Sequence, residues 1–303
     1  MMNLSTLKTL FLTTVFMLFG CLAIQAADDG LITKQITIKL DEAGTLPTRI
    51  GSSKKYQITN LKIVGEVNST DWRFIREMAG RDYNRNETGG NLSILDLSDA
   101  KIVEGGFEYF KYGTHTSNDM LGNYAFSGCS GLTSLNISSG VTSIGNYAFS
   151  DCSGLISLTI PSGVTLIGNY AFARCYGLTN LTIPSSVRSI GASAFVSCYG
   201  LNSIYVYSKR YPLLGVGAFD RCDTKNCIVY IPTGTYDYYK SSEIGYFENI
   251  VEFDATGINN VTTSTDAKEI SRYSVNGQRL SAPAKGLNIV KYSDGRVKKV
   301  VVQ

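Results

Sequence analysis

IGNYAFSDCSGLISLTIPSGVTL, residues 144–166, is followed at once by IGNYAFARCYGLTNLTIPSSVRS, residues 167–189. The same 23-residue sentence, traced outward, occupies residues 121–206. Phe126, Phe149, Phe172 and Phe195 stand 23 apart, and so do Cys129, Cys152, Cys175 and Cys198. A fixed period of this length marks a solenoid, because one unit cannot bury its apolar side alone and must stack on a neighbour. Within each unit Leu158 and Ile160 point one way on a strand and leave Ser157 and Thr159 on the other face. Pro161 ends the strand, since proline gives no N–H to a central ladder. Residues 164–167 form a second apolar side. Gly168 and Asn169 open a helical turn that points Ala171, Phe172 and Cys175 inward.

The spacing Leu155/Leu158/Ile160 also occurs at Ile58/Leu61/Ile63, Leu92/Leu95/Leu97, Leu132/Leu135/Ile137, Leu178/Leu181/Ile183 and Leu201/Ile204/Val206. The solenoid therefore begins before the regular repeats, and its first two coils are longer, at 34 and 40 residues. In the first, residues 71–79 read as a short helix capped by Thr70 or Asp71, with Phe74, Ile75 and Met78 facing inward. Trp72, the only tryptophan, reads as cap packing. In the second, residues 103–120 read as an irregular loop. Residues 32–40 alternate as a strand, and residues 41–53 form a turn-rich connection. After Val206 the turn recurs one residue late at Gly217-Ala218-Phe219, residues 227–232 give the last strand, residues 235–240 a short amphipathic helix, and residues 249–253 close the end.

The predicted architecture is mainly β with short helical turns: a solenoid of 23-residue repeats with capping segments and a small C-terminal β module. Its divisions are a signal peptide (1–26), an N-terminal cap with irregular first coils (27–120), the solenoid proper (121–232), a C-terminal cap (233–254), a linker (255–268) and a β tail (269–303). The signal reading rests on Lys8, a short apolar core and cleavage after Ala26. A lipobox around Cys21 is the rival, with bulky Phe19 against it. No later segment is apolar enough to span a bilayer. The tail reads as three strands joined by Asn276-Gly277 and Asp294-Gly295 hairpin turns.

Composition narrows the function. A net charge of +3, spread along the chain, argues against nucleic acid. His115 is the only histidine; a triad would need it, and no nucleophile motif flanks it. The cysteines are 23 apart rather than two to four, so no metal is expected, and no cofactor motif is present. The reading favours reduced, buried thiols at Cys129, Cys152, Cys175 and Cys198 over a disulfide ladder, and leaves Cys222–Cys227 pairing as an alternative. What remains is a surface. One outward column holds Asn60, Ile94, Ser134, Ser157, Asn180, Ser203 and Ile228. The other holds Lys62, Asp96, Asn136, Thr159, Thr182, Tyr205 and Tyr230. Asn136, Thr159, Thr182, Tyr205 and Tyr230 are the candidate binding residues, the two tyrosines foremost because aromatics contribute most at interfaces. A stripe of Tyr124, Tyr147 and Tyr170 either meets partners or covers the Phe ladder.

The motif AF-x-x-C-x-x-L-x-x-L-x-I-P-x-x-V-x-x-I-G resembles the BspA-type leucine-rich repeats of surface proteins from anaerobic oral and gut bacteria. The resemblance implies a leucine-rich-repeat solenoid and a broad role in adhesion, with matrix proteins, other cells or serum proteins as ligands. It carries no binding residue to a numbered position. The tail SRYSVNGQRLSAPAKGLNIVKYSDGRVKKVVVQ resembles the C-terminal sorting modules of type IX secretion substrates. The combined expectation is an exported, non-enzymatic protein at the cell surface that binds a host or bacterial surface protein. Glycan binding by the same face and a purely structural spacer are the alternatives.

Overall fold

The computed structural model describes residues 30–255, 269–274, 279–283, 286–292 and 297–302. The signal segment, with Cys21, and nearly all of the linker lie outside the described residues. The chain forms two compact units, divided after Ala255.

The first unit is built on one nine-stranded, all-parallel sheet. Its strands are β1 (Ile36–Leu40), β2 (Asn60–Val67), β3 (Ile94–Ile102), β7 (Ser134–Asn136), β9 (Ser157–Thr159), β11 (Asn180–Ile183), β13 (Ser203–Val206), β15 (Ile228–Pro232) and β16 (Asn249–Phe253), neighbours in that order. A second sheet of two-residue strands, from β6 (Met120–Leu121) through β8 (Ser143–Ile144), β10 (Leu166–Ile167) and β12 (Ser189–Ile190) to β14 (Leu213–Leu214), forms the other wall. The register is the repeat period itself: Leu135 pairs with Leu158, Leu158 with Leu181, and Leu181 with Ile204. The sheet runs one strand further than expected at each end. The segment around residues 32–40 contributes β1, and β16 rather than residues 227–232 is the final strand.

Between the two walls runs a column of rings. Trp72, Phe126, Phe149, Phe172, Phe195, Phe219 and Phe247 follow one another at centroid separations of 5.3, 5.5, 5.0, 5.1, 5.2 and 5.8 Å. Interior pairs are stacked, and the two end rings are tilted or edge-on. Each such pair contributes roughly 0.5–1.5 kcal/mol beyond the area it buries.

The turn bearing these rings is not helical. Tyr147, Asp151, Tyr170 and Arg174 have φ of 56°, 63°, 54° and 59°, left-handed values that interrupt any α-helix. Alternate N–H groups leave their own turn: Tyr147, Phe149 and Asp151 donate to the carbonyls of Asn169, Ala171 and Ala173 one coil on, at 2.7–2.9 Å. Both sides of each coil are thus tied to the next by backbone bonds. The expectation of a helical turn holds for which residues face inward, since Ala171, Phe172 and Cys175 are fully buried, but not for the backbone path.

This ladder creates a problem at its first rung, which the N-terminal cap solves. The carbonyls of Asn123, Ala125 and Ser127 have no preceding coil to donate to them. Tyr109 Oη donates to Asn123 at 2.6 Å, Trp72 Nε1 to Ala125 at 3.1 Å, and Arg76 Nη1 and Nη2 to Ala125 and Ser127 at 3.0 and 3.3 Å. All three side chains are buried. Trp72 and Arg76 come from α2 (Ser69–Met78), which follows α1 (Leu46–Ile50). The cap of α2 is Asn68 rather than Thr70 or Asp71. The Asn68 side chain accepts from Thr70 N at 2.9 Å, while Asp71 reaches back to Asn68 N and also accepts from Gly44 N and Leu46 N. The region expected to be turns, 41–53, therefore holds α1, with proline in its first turn where no N–H is needed. The expected loop at 103–120 holds a hairpin of β4 (Gly105–Phe110) and β5 (Thr114–Thr116).

After β15 come α3 (Tyr236–Lys240) and a 3₁₀ turn (Glu243–Tyr246). The second unit is a four-stranded antiparallel sheet, not three-stranded: β17 (Glu269–Ser274) is flanked by β18 (Arg279–Leu280) and β19 (Gly286–Tyr292), and β20 (Val297–Val302) follows β19. Sequence reading passed over β18 because two residues carry no alternation to detect.

Candidate functional site

On a strand of the main sheet, alternate side chains leave the core, and an in-register parallel stack turns each outward position into a row. Lys62, Asp96, Asn136, Thr159, Thr182, Tyr205 and Tyr230 form one such row, each paired with the next across the sheet. All five candidate residues therefore lie side by side.

The row divides into three chemical zones. Lys62 Nζ lies 2.6 Å from Asp99 Oδ2 and 3.6 Å from Asp96 Oδ2. The hydrogen bond that Lys62 donates to Asp99 is the main cause of its raised pKa. Burial opposes ionisation of Asp96, but the Ser98 amide and hydroxyl and the Lys62 charge outweigh it and hold the carboxyl below its usual range. This end is ionic, one lysine set between two carboxylates. Asn136 and Thr159 are exposed and Thr182 half-buried, giving a small, uncharged centre. Tyr205 and Tyr230 then stack at 4.4 Å and 5°. Both are half-buried, and burial is the main reason the Tyr205 phenol is pushed above its ordinary pKa.

Two members of the aromatic end escaped sequence reading. Phe253 stands edge-on to Tyr205, Tyr230 and Tyr207 at 6.0, 6.5 and 5.2 Å. It arrives on β16, whose Val251 is the register partner of Tyr230. The signal was the alternation of NIVEF, read only as closure of the fold. Tyr207 follows the strand triplet and is exposed at the sheet margin.

Tyr124, Tyr147 and Tyr170 form a separate column, stacked at 5.0 and 4.9 Å, with Phe110 stacked on Tyr124 at 4.5 Å. These rings stack on one another, and Tyr124 also packs against the hydrophobic core. Beneath them an asparagine ladder supports the turns: Asn123, Asn146 and Asn169 each accept, through Oδ1, the N–H of the equivalent residue one coil on, at 2.7–2.8 Å.

The remaining reactive groups are dispersed. His115, half-exposed on β5, has its Nε2 3.9 Å from Glu108 Oε1. The six described cysteines are free. Among the described residues, no group of three or more His, Cys, Asp or Glu is arranged to hold a metal ion, and no helix is long and apolar enough to cross a membrane.

A stack of short parallel strands in a fixed register, walled by turns of constant length, defines a leucine-rich-repeat protein. Residues 119–242 match the BspA type leucine rich repeat region in 6 copies, and this part of the chain is a repeat region of that type. No curated protein matches the chain. A leucine rich repeat protein of T. pallidum is similar at 31% identity over 38% of this chain and 53% of that one, with a TM-score of 0.35. One from Bacteroides ovatus ATCC 8483 is similar at 18% identity over 73% and 42%, with a TM-score of 0.30. A leucine rich cell surface protein of Faecalibacterium prausnitzii A2-165 is similar at 18% identity over 77% and 93%, with a TM-score of 0.32. The chain spans about half the length of the first and less than half of the second.

Proposed function

We propose that this is an exported, non-enzymatic binding protein of the cell surface that engages another protein through the outward face of its main sheet, in an adhesive role. The carrying observation is the row Asn136–Thr159–Thr182–Tyr205–Tyr230, a flat uncharged lane that ends in an aromatic cluster. The repeat type of residues 119–242 supports the same reading. A small polar centre costs little to desolvate, and tyrosines beside it supply large, stiff contact area with a hydroxyl at the tip. Glycan binding by this same face is the weaker alternative, because Tyr205 and Tyr230 each spend one ring face on the other and a sugar ring stacks on a free face. Residues 1–26 act as the export signal in this proposal, and the tail after residue 268 as a sorting module.

The test is binding to a panel of immobilised matrix and serum proteins. Tyr205→Ala with Tyr230→Ala should weaken binding at least about tenfold, which is about 1.4 kcal/mol, while the chain stays folded. Unchanged affinity for every partner that binds would remove this face from consideration.

A further inference from the structure

A groove of about 450 Å³ opens at the margin of the main sheet, between the loop that follows β11 and the loop that follows β13. Arg188, Lys209 and Arg210 line it, together with the hydroxyl residues Ser185 and Ser208 and the ring of Tyr211. All three basic side chains are exposed. No aspartate or glutamate lines the groove, and none of the three cations is in an ion pair among the described residues.

The repeat shows why the site occurs once. Upstream loops at the same place carry Ser138-Ser139-Gly140 and Pro161-Ser162-Gly163, and the residue aligned with Arg188 is Thr142 or Thr165. After β13 the loop is one residue longer and reads Ser208-Lys209-Arg210-Tyr211. Its course is fixed from both sides. Tyr207 N donates to Ile183 O at 3.0 Å and Leu213 N to Arg188 O at 2.9 Å. Tyr239 Oη donates to Ser208 O at 2.6 Å, and the Tyr211 ring packs against Tyr238 at 4.5 Å. The cations therefore project from a braced wall.

From this arrangement we infer that the groove is a binding site for a short anionic oligosaccharide, one bearing sulfate or uronate groups. Planar guanidinium forks match sulfate and carboxylate oxygens two at a time, and an ammonium adds an adaptable point charge. The serine hydroxyls suit sugar hydroxyls, and the volume is that of a small-molecule site. The lining is more polar than apolar, its cations and hydroxyls outweighing Val187, Pro212 and the Tyr211 ring. None of the groove's lining residues belongs to the Tyr205–Tyr230 cluster, so the inference stands or falls independently of the protein-binding proposal.

The test is calorimetric titration of the full chain with a heparin-derived tetrasaccharide (sulfated), a hyaluronan tetrasaccharide (uronate only) and a pentaglutamate peptide. At least one saccharide should bind, more weakly as added salt shortens the screening length, and the two saccharides distinguish a sulfate from a uronate ligand. Arg188→Ser, Lys209→Ser and Arg210→Ser together should cut that affinity about tenfold or more, whereas Tyr205→Ala with Tyr230→Ala should leave it unchanged. Binding of neither saccharide, equal binding by the triple variant, or pentaglutamate binding as tightly as the saccharides would overturn the inference.

Discussion

Cys152, Cys175, Cys198 and Cys222 each donate Sγ–H to the carbonyl of a phenylalanine one coil back, Phe126, Phe149, Phe172 and Phe195, at 3.0, 3.2, 3.1 and 3.3 Å. Their inward orientation was legible from the 23-residue spacing; their role as donors was not. Each of those carbonyls also accepts the backbone N–H of the cysteine three residues on in its own turn, so the thiol of the next coil is a second donor to the same oxygen. Burial raises the pKa of every one of these thiols, and those of Cys222 and Cys227 rise to about 12. The reactive thiolate is therefore scarce at neutral pH. Alkylation of the native protein without reductant should leave the six thiols unmodified, and unfolding should expose all six, as read by mass spectrometry. A second residue-scale prediction concerns Arg174, whose Nε lies 2.6 Å from Asp151 Oδ1. Hydrogen bonding from Arg174 is the main cause of the depressed Asp151 pKa. A depressed carboxylate pKa gives stability that is present above the unfolded value, near 3.9, and is lost as pH falls through the lower folded value. Both side chains are partly exposed, so screening keeps the effect small. Arg174→Ala should cost below about 1 kcal/mol at neutral pH, and the difference from the parent should vanish in urea titrations below about pH 3.

Elements close on one another where the sequence leaves room. A Cβ at Gly168 would sit 2.6 Å from the backbone N of Asn146 and the backbone C of Gly145, with no flexible side chain able to yield alone. At Gly131 a Cβ would meet nothing within 4 Å. Gly168→Ala should therefore destabilise by roughly 1–3 kcal/mol, and Gly131→Ala should be close to neutral, a contrast that thermal unfolding would display. The element α2 has a comparable division. Its inward face was readable from the spacing of Phe74, Ile75 and Met78, all buried in the structure. Its contact with the first repeat coil was not readable, because no local pattern announces that Trp72 and Arg76 will serve orphan carbonyls some 50 residues away. Arg76→Met should cost on the order of 3 kcal/mol by removing the guanidinium donor to Ser127 and one of the two donors to Ala125; a loss below about 1 kcal/mol in urea unfolding would show that these carbonyls find other donors.

At the scale of the molecule, the period decides almost everything within the repeats and little outside them. The core column, the two walls and the outward row all follow from one 23-residue spacing. The ends follow different rules, since an exposed solenoid end must be closed by chemistry that does not repeat. Trp72, Arg76 and Tyr109 close one end, while Phe247 packs edge-on to Phe219 at the other. Phe253 entered the candidate binding face unforeseen for the same reason: a closing strand obeys no period. Stability in such an array is the sum of coil terms and interfaces between neighbours, so whole coils are interchangeable and fractions of coils are not. Removing residues 145–167 joins Ile144 to Gly168 and restores every register, whereas removing residues 145–155 breaks them all downstream. The decisive measurement is thermal unfolding of these two deletion variants followed by circular dichroism. The whole-coil deletion should retain parallel-sheet signal and a single cooperative transition, and the half-coil deletion should lose both; equal behaviour of the two would contradict an in-register spine.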